Sequence, residues 1–114
     1  MNTKTLATQK CRACEGIGDK LKPAQAKKLK SQIKGWKIIN NHHLIKTFLF
    51  SNFKRALEFV NRTGTISEKE GHHPDIQLSW GKVKIILYTH ALNGLSMNDF
   101  ILAAKINTLR AKKK

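Results

Sequence analysis

Between Ile76 and His90, two runs of strand-forming residues are separated by only Gly81-Lys82, which commits this part of the chain to an antiparallel hairpin. The first run, Ile76-Gln77-Leu78-Ser79-Trp80, alternates apolar and polar side chains. The second, Val83-Lys84-Ile85-Ile86-Leu87-Tyr88-Thr89-His90, is rich in β-branched residues. A two-residue loop at Gly81-Lys82 sets Trp80 opposite Val83, Ile76 opposite Leu87 and His73 opposite His90. A lone hairpin is marginal in water, so the remaining residues must extend and cover it.

Upstream segments supply that cover. Pro23 can open a helix at its first position, where a missing N–H costs nothing; Ala26, Leu29, Lys30 and Ile33 follow at helical spacing, and Gly35 stops the pattern. Trp36 to Ile39 and His43 to Phe50 read as two strands joined at Asn40-Asn41. Ser51 is placed to cap a helix whose apolar face would be Phe53, Ala56, Leu57, Val60 and Gly64, running to about Lys69 and ending at Gly71. After Asn93-Gly94, Ser96 and Asp99 form a capping box for a last helix bearing Phe100, Leu102, Ala103, Ala104, Ile106, Asn107 and Leu109. The order is α-β-β-α-β-β-α. It predicts an α+β two-layer sandwich, a four-stranded antiparallel sheet with helices on one face. At 114 residues there is material for one core. The expected organisation is a loosely ordered polar leader at 1–20, a single domain at 21–110 and a basic tail at 111–114.

Charge narrows the function classes. Twenty-two Lys and Arg against seven acids give a formal +15, which draws polyanions and keeps a non-catalytic, basic nucleic-acid- or protein-binding module as the alternative function. The lysines are scattered rather than striped, and the arginine–aromatic interleaving of base readout is sparse. Nucleic acid is therefore not the expected partner. No apolar run approaches the roughly 20 residues of a membrane span, and Met1 to Lys10 lacks the apolar core of a secretory signal. No membrane association and a cytoplasmic location are the expectations. Cys11 and Cys14 form a single CxxC; a closed zinc site needs two further ligands, so a structural or incidental role is expected.

Of the five histidines, three fall at structural junctions. His72 and His73 follow a helix-ending glycine and precede Pro74, and His90 ends the last strand. Hairpin register brings the pair and the single residue to one end of the sheet. Imidazoles titrate near pH ~6.5, so one ring can donate a proton while another accepts. The same residues are compatible with an exposed turn, or with a zinc site completed by Asp75. His42 and His43, after the Asn-Asn turn, are read as surface residues.

The stretch Glu68-Lys69-Glu70-Gly71-His72-His73-Pro74-Asp75, then Tyr88-Thr89-His90, then Gly94-Leu95-Ser96-Met97-Asn98-Asp99, resembles the pterin-4a-carbinolamine dehydratases. The resemblance extends back through Phe53 to Arg62 and Gly35-Trp36, covering roughly residues 20 to 108. It implies a hydro-lyase with the α+β sandwich above, needing no metal or cofactor. Such enzymes remove water from 4a-hydroxytetrahydropterin to give quinonoid dihydropterin. That step belongs to tetrahydrobiopterin recycling for aromatic amino-acid hydroxylases, chiefly phenylalanine hydroxylase. Members form homo-oligomers, dimers or tetramers, and some animal members bind a homeodomain transcription factor.

Carried onto this chain, the resemblance assigns catalysis to His72, His73 and His90. His72 and His90 would move protons, and His73 would bind and orient the pterin. Pro74, Thr89, Ala91 and Leu92 would complete the substrate contacts. Glu68, four residues before His72 and so on the same helix face, would tune a histidine. Asp99 would stand behind the site as well as cap its helix, and Trp36 would help wall the pocket or serve the core.

Overall fold

A computed structural model describes residues 6–11 and 20–111. Its elements are α1 (Pro23–Lys30), β1 (Lys37–Ile39), β2 (His43–Leu49), α2 (Phe53–Glu70), β3 (Asp75–Ser79), β4 (Lys82–Leu87) and α3 (Met97–Ala111), with one-turn 3-10 helices at Leu6–Thr8 and His90–Leu92. The four strands pair antiparallel in the order β1-β2-β4-β3. The expected three-helix, four-stranded α+β architecture is the one observed.

Strand alternation builds the core. Leu44 and Phe48 of β2 lie opposite Leu87 and Val83 of β4, and these residues with Ile85 are buried on the helix-facing side of the sheet. Ala56 and Phe59 of α2 and Phe100, Leu102 and Ile106 of α3 join them in one cluster. Phe48 and Phe59 pack with ring centroids 4.6 Å apart. Trp36 belongs here too: it is buried, meets Phe48 edge-on at 6.2 Å and donates from Nε1 to Asn107 Oδ1 at 3.0 Å.

Local chemistry explains the connections. Asn40 and Asn41 both adopt the left-handed conformation (φ 52° and 53°), which asparagine tolerates. His42 N–H closes that turn on Ile39 O at 2.8 Å. α1 does start at Pro23 but ends at Lys30, leaving the buried Ile33 in the turns that follow.

Three sequence expectations shift. Ser79 pairs with Lys82, so Trp80-Gly81 and not Gly81-Lys82 forms the loop, and Ile76 faces Ile85 instead of Leu87. A two-residue slip leaves each side chain on its original face, which is why alternation could not detect it. Asn52, not Ser51, caps α2, its side chain accepting from Arg55 N–H at 2.9 Å. The buried face of α2 is Ala56, Phe59, Thr63 and Ser67, whereas Phe53 and Leu57 are exposed. The sheet met by α2 selects one of two adjacent apolar stripes.

Gly81 has a packing reason. A Cβ there would stand 2.8 Å from Phe50 O, and Phe50 N–H donates to Gly81 O at 2.8 Å. Both atoms are backbone and cannot swing aside. Gly81→Ala should cost about 1–3 kcal/mol, the usual range for overpacking. The check is a lower urea midpoint at unchanged slope; an unshifted midpoint would mean that the turn relaxes freely.

Residues 6–11, expected within a loosely ordered leader, dock on α3. That helix is apolar nearly all round, with Phe100, Ile101, Leu102, Ala103, Ala104 and Ile106 buried, so it needs cover beyond the sheet. Leu6 supplies it, Lys105 Nζ donates to Ala7 O at 2.8 Å, and Cys11 N–H donates to Glu70 Oε1 at 2.8 Å. Burial, with the nearby Glu70 charge, pushes the Cys11 thiol up to about 12, so it is protonated at neutral pH. Cys14 and the tail at 112–114 lie outside the described residues. Among the described residues, no helix is long and apolar enough to cross a membrane.

Candidate active site

α2 ends where Gly71 turns left-handed (φ 69°). Gly71 N–H donates to Glu68 O at 3.2 Å and His72 N–H to Ser67 O at 3.1 Å, a Schellman closure that sets the direction in which His72 leaves the helix. Pro74 stiffens the next step and Asp75 begins β3. On the opposite wall, Thr89 and Gly94 exchange backbone hydrogen bonds (2.8 and 3.4 Å) and pinch the intervening residues into a closed loop. His90 starts the 3-10 turn inside it, and Asn93 caps that turn in the left-handed region.

Between these walls lies an open cleft of about 380 Å³. His72, His73 and His90 all line it, together with Gly71, Pro74, Asp75, Tyr88, Thr89 and Ala91. Sequence register anticipated this meeting, although His90 lies beyond the strand it was expected to end. In the observed register, two further steps past Asp75↔Ile86 bring His73 beside Tyr88 rather than His90. Leu92 is not part of the lining, and Trp36 is a core residue rather than a wall of the cleft.

Each histidine is held differently. His72 Nε2–H donates to Asp99 Oδ1 at 2.6 Å, and the Asp99 side chain is fully buried. Asp99 Oδ2 accepts from Thr89 Oγ1–H at 2.8 Å and from Ser96 N–H at 2.9 Å. Since the Thr89 hydroxyl proton goes to Asp99, Ser96 Oγ–H must donate to Thr89 Oγ1 at 2.7 Å. This chain fixes the His72 tautomer with the proton on Nε2, leaving Nδ1 as the nitrogen Asp99 does not engage. The capping box read from the sequence is thus also the support behind His72.

His73 Nε2 bonds Glu68 Oε1 at 2.8 Å. Glu68 was expected to tune a histidine, and its partner is His73, not the same-face His72. Both side chains are well exposed (62% and 82%), so solvent screens the pair and its worth is small. His90 is exposed, and its ring lies flat on Tyr88 with centroids 4.2 Å apart and planes 12° from parallel. Among the described residues, its ring nitrogens have no hydrogen-bond partner.

Tyr88 and His42 escaped the sequence reading of the site. Tyr88 also contacts His42, at 4.4 Å between centroids. Strand alternation alone puts Tyr88 on the open face beside His43 and could have flagged it; nothing local in the sequence points to His42. Asp75 lines the cleft. Among the described residues, however, no three His, Cys, Asp or Glu side chains gather so as to hold a metal ion.

A family profile described as Pterin 4 alpha carbinolamine dehydratase matches residues 19–109. The chain belongs to this family. Its curated relatives carry the same name provisionally. A pterin-4-alpha-carbinolamine dehydratase so named from Alkaliphilus metalliredigens is 50% identical over 103 residues, covering 90% of this chain and 93% of its own. One from Rubrobacter xylanophilus is 42% identical over 104 residues, covering 91% and 97%. Among solved structures, a transcriptional coactivator/pterin dehydratase from Brucella melitensis superposes with a TM-score of 0.76 at 25% identity, covering 80% of this chain and 98% of that one. A pterin dehydratase-like protein identified as a RuBisCO assembly factor in the alpha-carboxysome gives 0.58 at 25% identity, covering 66% and 88%. The resemblance read from His-His-Pro, Thr-His and Gly-Leu-Ser-x-x-Asp is upheld, and with it the dehydratase family, whose named reaction is that of a hydro-lyase.

Proposed function

We propose that the chain dehydrates 4a-hydroxytetrahydropterin to quinonoid dihydropterin by general acid–base catalysis with His72 and His90. One group delivers a proton to the 4a hydroxyl as the C4a–O bond breaks and water leaves. The other takes the N5 proton, whose bonding electrons close the C4a=N5 double bond. One proton is given and one taken, so the pair ends with its roles exchanged and is reset through solvent. The observation that carries this reading is the meeting of all three histidines on one cleft, with a buried acceptor behind His72 and an exposed ring at His90. His73 binds and orients the pterin, while Pro74, Thr89 and Ala91 supply the remaining contacts.

The proposal extends to a cytoplasmic role in tetrahydropterin recycling, downstream of an aromatic amino-acid hydroxylase such as phenylalanine hydroxylase. Self-association into a dimer or tetramer would cover the exposed Leu49, Phe53, Leu57 and Trp80. A second reading has a specific support: one structural neighbour is called a transcriptional coactivator/pterin dehydratase and another a RuBisCO assembly factor, and the +15 charge suits an acidic partner.

Stopped-flow measurement with freshly generated 4a-hydroxypterin tests the choice. The protein should accelerate dehydration over the spontaneous rate, and a chelator should leave that acceleration unchanged. No acceleration, with polyanion binding that weakens steeply in salt, would favour the binding module instead.

A further inference from the structure

We propose that His42 is a positioning residue for His90, clamping the Thr89–Gly94 loop from outside the cleft. The clamp is made of two contacts. His42 Nε2–H donates to Asn93 Oδ1 at 3.0 Å, gripping the residue that ends the 3-10 turn His90–Leu92. The His42 ring packs on Tyr88 at 4.4 Å, and Tyr88 in turn carries the His90 ring at 4.2 Å. One imidazole thus holds both ends of His90's support, its backbone turn and its stacking platform.

His90 needs such support more than its neighbours do. Asp99 orients His72 and Glu68 bonds His73, but His90 has no hydrogen-bond partner among the described residues to set its ring. His42 is itself well held. Asn40 and Asn41, both left-handed, set the turn, and His42 N–H bonds Ile39 O. With its Nε2 proton given to Asn93, neutral His42 accepts at Nδ1 from His43 Nδ1–H, 3.1 Å away. Burial holds His43 below the usual histidine range, and a proton gained by His42 would push it the same way, so His43 is a neutral donor.

The inference rests on the dehydratase reading for its catalytic consequence, but not for the clamp itself. The test compares His42→Ala, His42→Gln and His42→Phe in the full chain by stopped-flow kinetics and by NMR of the His90 ring protons. In His42→Ala, kcat should fall about tenfold or more with KM changed less than about threefold, because a misplaced catalytic group costs roughly 100-fold per ångström. The His90 ring signals should move toward those of an unstacked imidazole. His42→Gln can still donate to Asn93 and His42→Phe can still pack on Tyr88, so each should recover part of the rate. Wild-type kcat with unmoved His90 signals in His42→Ala would overturn the proposal. So would Gln and Phe variants that fold but are as impaired as Ala. If the wild type itself failed to accelerate dehydration, the dehydratase reading would fall. The His90 signals would then decide the clamp alone.

Discussion

Asp99→Ala should both weaken the fold and nearly silence the site. The lost carboxylate leaves His72 Nε2–H, Thr89 Oγ1–H and Ser96 N–H without their acceptor, in surroundings where Asp99 and Thr89 are essentially inaccessible to solvent. A buried donor without a partner costs about 1–3 kcal/mol, so three together should lower stability by roughly 3 kcal/mol or more. Urea unfolding reads this as a midpoint shift. Asp99→Asn separates support from charge: the side chain keeps its shape but offers one acceptor oxygen where three donors need two. If the oxygen faces Thr89 and Ser96, the amide NH2 faces His72 and forces the proton onto Nδ1. Stability should then fall less than in the alanine variant, while kcat falls roughly 100-fold or more, as when a histidine is held in the wrong tautomer. A near-wild-type rate in Asp99→Asn would show that the Nε2 proton is not what matters at His72.

Removing the two proposed proton carriers tests the chemistry itself. His72→Ala and His90→Ala should each reduce acceleration over the spontaneous reaction, by about 10²–10⁴-fold for a group acting as general acid or base. The double variant should be little worse than the poorer single one, because both groups serve one transition state. His73→Ala should instead raise KM more than it lowers kcat. The stability costs differ as well. His90 is exposed and its loss should stay within about 0.5 kcal/mol, whereas losing His72 strips the buried Asp99 Oδ1 of its donor and should cost more. Full activity in the double variant would sink the acid–base assignment outright.

The two experiments probe parts of the protein that were unequally legible. Signals complete within a few residues survived intact: Pro23 at a helix start, Gly71 at a helix end, the paired asparagines at a turn, and Ser96 with Asp99 as a capping box. Placing His72, His73 and His90 at one sheet end also survived, since it needed only a hairpin and not its exact register. The register slipped by two residues because the hairpin end is set from outside it: Phe50, just past the end of β2, donates its N–H to Gly81 O and leaves no room for a Cβ there. The face of α2 was misjudged for a similar reason: Phe53-Leu57 and Ala56-Phe59 are both apolar, and only the sheet decides between them.

The sequence by itself determined the order of elements, the start of α1, the end of α2, the capping box before α3 and the clustering of three histidines, together with the family those motifs signal. Backbone propensity, turn chemistry and periodicity act over one or two turns, so they can be read along the chain. Tertiary structure alone decided that Asp99 accepts from His72, that Glu68 serves His73, that His42 reaches Asn93 and Tyr88, and that Leu6 covers α3. Those contacts join residues brought together by packing across the sheet and between helices. Their partners are chosen by which groups share a buried space, and that choice is made only when the core closes.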